Sequence, residues 1–263
     1  MEAFGYIAAI LIGISLGLIG SGGSILTVPV LVYLLNVEPV TATAYSLFIV
    51  GLTSLAGSAT YMKQNLVSYK TALIFSVPSF IAVFITRKFI LPSIPDIIFF
   101  IGLTPVTKNL FVMIFFAALM IVASITMIRN KNPEPEVTSI KYNYPLIMIE
   151  GFIVGVLTGL VGAGGGFLII PTLVILAKLP MKIAVGTSLL IIAAKSLIGF
   201  TGDLGIGRNF DWLLLTLISV LAISGIFIGS YFSRFISAAR LKPAFGWFVL
   251  VMGFYIIGRE FLF

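Results

Sequence analysis

The chain contains no cysteine and no histidine. The first absence excludes disulfides and thiol chemistry. The second removes imidazole metal ligands and the usual general base. Charge is scarce too: Asp, Glu, Lys and Arg make up 10% of the residues, where a soluble domain carries roughly 25%. That deficit leaves too little polar surface to face water. No carboxylate sits within an apolar block. Glu150, Asp203 and Asp211 stand near block ends, so a buried proton relay is not evident, and Glu150 is the fallback for one. With so few catalytic groups, neither an enzyme nor a bound cofactor is expected.

What the chain has instead is apolar length. Of its 263 residues 60% are hydrophobic and mean hydropathy is +1.20. Only helices and closed barrels satisfy their backbone in lipid. A barrel shows short alternating strands, whereas Leu110–Ile128 and Leu213–Phe232 are long unbroken runs. The composition therefore predicts an all-α, multi-pass protein of a plasma or inner membrane, with the lipid bilayer as its main contact. The first block, Ala3–Ile19, lacks the positive start and small-residue cleavage site of a signal peptide, so it is read as a permanent span. The net charge of +7 lies mostly in short loops. Orientation and anionic lipid account for it better than nucleic acid, which is not expected as a partner.

The chain repeats itself. Gly17-Leu18-Ile19-Gly20-Ser21-Gly22-Gly23-Ser24-Ile25-Leu26-Thr27-Val28-Pro29 aligns with Gly159-Leu160-Val161-Gly162-Ala163-Gly164-Gly165-Gly166-Phe167-Leu168-Ile169-Ile170-Pro171 at an offset of 142 residues. The match runs without a gap from Gly17 to Gly57, with 17 of 41 positions identical. Shared low complexity would align Leu and Ile, but not Gly20, Gly22, Gly23, Pro29, Ser46, Ser54 and Gly57 with their partners. The predicted organisation is a first transmembrane repeat over 1–128, a polar linker over 129–144 and a second repeat over 145–263. Each repeat reads as long helices (about 3–20, 40–61, 70–87 and 110–128; then 145–162, 183–201, 212–232 and 243–259) plus one short segment after the glycine cluster (about 24–35 and 166–177), interrupted by Pro29 or Pro171. That makes eight long helices and two short ones. Ile90–Thr107 has no counterpart and is expected along the membrane interface, with Arg87 and Lys88 at the headgroups.

Whether the short segment crosses or re-enters decides how the copies are related. If it crosses, Lys63, Lys70, Arg129, Lys131, Lys141, Lys178, Lys182, Arg234, Arg240 and Lys242 share one side, and Arg87, Lys88, Lys108, Arg208 and Arg259 the other. If it re-enters, the bias disappears. Cytoplasmic loops collect Lys and Arg. The charge pattern therefore favours inverted repeats, with the linker in the cytoplasm and both termini outside. Broken segments in inverted repeats form midplane substrate sites in secondary transporters.

Gly20-Ser21-Gly22-Gly23-Ser24 and Gly162-Ala163-Gly164-Gly165-Gly166 each interrupt apolar sequence. Glycine costs a helix interior up to about 1 kcal/mol relative to alanine. Irregular backbone at membrane depth must be buried in protein or line water. Its N–H groups, together with a following helix N-terminus, suit an anion. Close helix packing is the competing explanation. A nucleotide loop fits poorly, because neither cluster ends in Lys-Ser/Thr. Lys195 lies deep in Ile183–Thr201. A cation at that depth points to an anionic substrate, unless it snorkels toward the interface. Its repeat partner is Thr53. Ser46, Ser54, Thr187, Ser188 and Ser196 could add hydroxyl donors or serve as interhelical bonds. The residues alone thus point to a small anion carried by a transporter or a channel. Homodimerisation stays open.

At the two glycine motifs the chain resembles the sulfite exporter TauE/SafE family of membrane permeases. The likeness extends to Ala184-Val185-Gly186-Thr187-Ser188-Leu189, and departs from it in the first copy at Ala42-Thr43-Ala44-Tyr45-Ser46-Leu47. The resemblance implies transport of sulfur-containing anions such as sulfite, sulfonates or related organosulfur oxyanions; a permease for another small organic anion is the alternative. Sulfur enters only through this likeness.

Overall fold

The computed structural model describes residues 2–101, 104–129, 144–175, 177–204, 210–233 and 238–262. The linker residues 130–143, with Lys131 and Lys141, lie outside the described residues, as do Arg208 and Arg234.

Among the described residues ten helices follow one another: α1 (Glu2–Ile19), α2 (Thr27–Tyr33), α3 (Pro39–Lys63), α4 (Tyr69–Ser93), α5 (Lys108–Arg129), α6 (Tyr144–Val161), α7 (Gly166–Ile175), α8 (Met181–Leu204), α9 (Trp212–Phe232) and α10 (Ala238–Leu262). Among the described residues, α3, α4, α5, α8 and α9 are long and apolar enough to cross a membrane, while α1 and α6 hold the shorter apolar stretches Phe4–Leu18 and Pro145–Val161. Large apolar side chains such as Phe4, Leu213, Val251 and Phe254 stand exposed on the outside of the bundle, as expected where lipid is the solvent. The chain is an all-α, multi-pass membrane protein.

One local feature differs from expectation. Pro29 does not interrupt its segment. It is the third residue of α2, in the first turn, where a missing N–H leaves no bond unmade. In the described part of Ile90–Thr107, α4 continues through a π-helical turn at Thr86–Ile90 to Ser93. A hairpin of β1 (Ile97–Ile101) and β2 (Thr104–Thr107) then follows. Asn109 ties this end to the start of α3, donating to Glu38 at 3.0 Å and accepting from the Val40 N–H at 3.4 Å.

Close glycine contacts set the packing. Gly13 on α1 abuts the Ala222 carbonyl and Gly225 on α9, and Gly17 abuts Ile226 and Ser230. Both positions advance together, so α1 and α9 run parallel. In the same way Gly151 meets Phe75, Gly155 meets Ser79 and Gly159 meets Thr86, so α6 runs parallel to α4. On α3 and α8 the order reverses: Gly51 lies by Leu197 and Gly57 by Leu189. Those two helices are antiparallel. With no hydrophobic effect between helices in lipid, such close contact is the main source of adhesion. Gly13→Leu should therefore lower detergent-solubilised stability by about 1–3 kcal/mol through overpacking. Gly258→Leu, where a Cβ would meet nothing within 4 Å, should leave the melting temperature unchanged.

The two repeats also share backbone detail. Gly20 and Gly162, 142 residues apart, have φ of 74° and 72°, and Asn36 and Lys178, at the same offset, have φ of 52° and 50°. Gly20 packs on Val185, and Gly162 on Thr43. Val185 and Thr43 are themselves repeat partners. The segment after Gly20 turns back along α1, with Gly23 beside Ser15 and Leu16 and Leu35 beside Gly5.

Candidate functional site

The site forms where α3, α6, α8 and the second glycine turn meet. Because Gly51 faces Leu197 and Gly57 faces Leu189, Thr53 and its repeat partner Lys195 stand at nearly the same level. Lys195 is fully buried. It does not snorkel, since the helix gives it a polar neighbour at its own depth. Its Nζ donates to Thr158 Oγ1 on α6 at 3.3 Å, and that hydroxyl donates onward to the Val154 carbonyl at 2.7 Å.

Gly165 completes the enclosure. A Cβ there would lie 2.9 Å from the Lys195 Nζ and would collide with the Thr158 methyl. Its φ of +65° is a conformation that residues with a Cβ avoid. Glycine at this position is thus required twice, for the backbone turn and for the close approach of Thr158, with the ammonium alongside. Gly164, also at φ +65°, sits between Val50 of α3 and Ile192 of α8, with Ser24 of the first cluster 3.5 Å from where its Cβ would be. The two glycine segments therefore meet near the centre of the bundle. They are not alike in shape. The first winds as a 3-10 turn over Gly20–Leu26, whereas the second breaks sharply before α7, whose Leu168 and Ile169 N–H groups bond to the Gly165 carbonyl.

Among the described residues, the ion pairs within 4 Å are Arg87–Asp203 and Lys108–Asp96, and neither involves Lys195. A buried ammonium without a carboxylate is expensive, by several kcal/mol per ion even after relaxation. At about the level of Lys195, Ser54 on α3 and Ser196 on α8 also carry buried hydroxyls with no hydrogen-bond partner; Ser46, likewise without one, stands seven residues before Thr53, about 10 Å away along α3. A cation and two spare donors form a set that one anionic group with several oxygens would satisfy.

The remaining expected residues have other work. Gly20, Gly23 and Gly162 are packing glycines against Val185, α1 and Thr43. Gly166 opens α7 and is buried. Ser21 and Gly22 belong to the 3-10 turn, and their side-chain environment lies outside the described residues. Ser188 donates to the Val185 carbonyl at 2.8 Å. Thr187 accepts from the Ser68 N–H at 2.9 Å, which fixes the loop between α3 and α4 rather than facing Lys195.

Three polar residues beyond that set are buried and hydrogen-bonded to one another or to Lys195. Thr158 directly holds Lys195; its only sequence signal is a hydroxyl in an apolar helix just ahead of the glycine motif. Arg87 and Asp203, expected near headgroups and block ends, are fully buried and paired at 2.6 Å. Arg87 also donates to Thr43 Oγ1 at 2.8 Å and to the Gly159 carbonyl at 3.2 Å.

The model of the family described as Sulfite exporter TauE/SafE matches residues 6–256. The chain belongs to this family. Among its relatives, a "Probable membrane transporter protein" of Xylella fastidiosa (strain 9a5c) is 28% identical over 258 residues, 95% of this chain and 92% of the relative. The "Probable membrane transporter protein YunE" of Bacillus subtilis (strain 168) is 27% identical, covering 79% of this chain and 81% of its own length. A "Probable membrane transporter protein" of Methanocaldococcus jannaschii is 37% identical over 122 residues, 43% of this chain and 44% of the relative. No solved structure matches the chain.

Proposed function

We propose that this TauE/SafE chain is a secondary transporter that moves a small sulfur-containing oxyanion, sulfite or an organosulfonate, through a site between Lys195 and the glycine turns. The observation that carries this reading is the fully buried Lys195 ammonium, which contacts Thr158 and Gly165 and has no carboxylate partner among the described residues. Its missing counter-ion is the substrate. The sulfur-oxyanion identity rests on the family's description; the transport role also agrees with the names of the relatives. Without a nucleotide-binding motif, ion gradients or the membrane potential supply the energy.

The transport cycle follows from the repeats. Helices α1–α5 and α6–α10 form two five-crossing units, with α1, α3–α6 and α8–α10 as the eight long spans and α2 and α7 as the short ones. Repeat partners exchange contacts: α1 lies along α9 as α6 lies along α4, and Gly20 meets Val185 as Gly162 meets Thr43. Exchange of this kind is the signature of a two-fold axis. The equivalent helices α3 and α8 are antiparallel, so the axis lies across them, in the membrane plane, and the units are inverted. Rocking one unit against the other around a fixed central site gives alternating access. The charge pattern puts the linker in the cytoplasm and the termini outside.

Purified protein in liposomes should take up labelled sulfite or a small sulfonate with saturation. Failure to move any of a panel of sulfur oxyanions would overturn the reading. An impermeant lysine reagent applied to intact cells should leave the 129–144 linker unmodified; modification there would reverse the orientation.

A further inference from the structure

The two ends of the bundle differ at positions that the repeat makes equivalent. At the end that bears the β-hairpin, Arg87, Asp203, Thr43 and Gly159 are joined by hydrogen bonds. Their repeat partners at the linker end are Gly229, Tyr61, Val185 and Gly17, none of them charged. Tyr61 and Val185 there pack against an apolar cluster of Ile12, Leu16, Leu189 and Ile226. At these four positions the linker end thus has packed apolar side chains and the hairpin end a buried ion pair, which lies beside a packed aromatic cluster of Tyr45, Phe48, Phe200, Phe210 and Trp212.

That pair is wired to the site. Gly159, whose carbonyl binds Arg87, directly follows Thr158, whose hydroxyl binds Lys195. Asp203 lies on the same helix as Lys195, eight residues on, so roughly 12 Å further along its axis. Thr43, which binds Arg87, is the residue against which Gly162 of the glycine turn packs. Arg87 sits in the π-helical turn Thr86–Ile90, a distortion that is rare and frequent at functional sites. Between Lys195 and the hairpin end, the charged link from α4 to α8 is therefore this ion pair, flanked by the close contacts of Gly199 with Val83 and of Gly202 with Arg87. A guanidinium is also well suited to a planar or pyramidal oxyanion, and the Asp203 carboxylate occupies it in this state.

We propose that Arg87–Asp203 is the gate at the hairpin end of the substrate path, and that Arg87 is a second anion-binding residue, uncovered when Asp203 lets go. This rests on the transport reading for the identity of the anion, but not for the opening itself.

The absence of native cysteine makes the test direct. Ser196→Cys, beside Lys195, serves as the reporter for a membrane-impermeant methanethiosulfonate. Phe100→Cys on the exposed hairpin marks whether intact cells or inside-out vesicles present that face. In the otherwise wild-type chain, Ser196→Cys should label slowly from the hairpin face. Asp203→Asn should speed labelling from that face by tenfold or more and leave the opposite face unchanged. The double exchange Arg87→Asp with Asp203→Arg should return it toward the slow rate. If Asp203→Asn does not fold, Arg87→Lys, which keeps the charge and loses the fork, should speed it several-fold. Labelling that is indifferent to these changes, or that rises equally from both faces, overturns the gate. One-sided opening, with no sulfur-anion transport by the unsubstituted chain, would overturn the transport reading alone. Transport by the unsubstituted chain with unchanged labelling would overturn the gate alone.

Discussion

Lys195→Met is expected to lower sulfite transport at least ~100-fold while leaving the protein folded. Methionine fills a similar volume and needs no counter-ion. The ammonium it replaces is fully buried and, among the described residues, bonds to a neutral hydroxyl alone. Removing such a charge from low dielectric is neutral or stabilising when the replacement packs. The melting temperature of the ligand-free variant should therefore hold or rise. A ~100-fold loss corresponds to about 2.7 kcal/mol, the scale of one charge-assisted contact to an anion. Lysine kept for folding would give the opposite pattern, with stability lost and transport per folded molecule retained. Lys195→Arg should recover little, because the space beside Gly165 and Thr158 admits a compact head and the guanidinium is broad.

The second large effect is expected at Gly165. Gly165→Ala puts a methyl onto the Thr158 side chain and 2.9 Å from the Lys195 Nζ, at a φ of +65°. The left-handed backbone alone costs roughly 1–2 kcal/mol for a residue with a Cβ, and overpacking adds about 1–3 kcal/mol. Transport should fall at least tenfold, with a lower melting temperature. Thr158→Ser removes the colliding methyl and keeps the hydroxyl, so the double variant should recover part of the loss. Thr158→Ser with no recovery would mean that backbone strain, not the steric contact, is the whole effect. The check is initial uptake rates of the two single variants and the double in matched liposomes.

Much of this was legible in the residues because lipid simplifies the code. Long apolar runs have one outcome in a membrane, and α9 begins and ends at the boundaries its sequence implies. The glycine clusters were legible because a duplicated pattern of Gly, Gly-Gly and Pro is hard to produce by composition. Lys195 stood out because few charges lie at such depth. Arg87 and Asp203 did not stand out, since charges within a few turns of a helix end ordinarily reach the headgroups. Their burial depends on α4 continuing through a π turn to Ser93 and on α8 extending to Leu204, both tertiary outcomes. Thr187, on the family-like segment, accepts a bond from the loop N–H at Ser68, a tertiary contact of the kind that its hydroxyl offered beside substrate binding. The glycine turns differ in shape although their sequences align; the second has glycines at Gly164 and Gly165 in left-handed geometry, while the first tightens into a 3-10 turn.

The central claim is that the substrate anion is the counter-ion of Lys195. Calorimetric titration of sulfite into the purified protein, wild type beside Lys195→Met, measures it without any transport assay. Saturable binding to the wild type and none to the folded Met variant is the predicted result. Equal binding to both would contradict the claim.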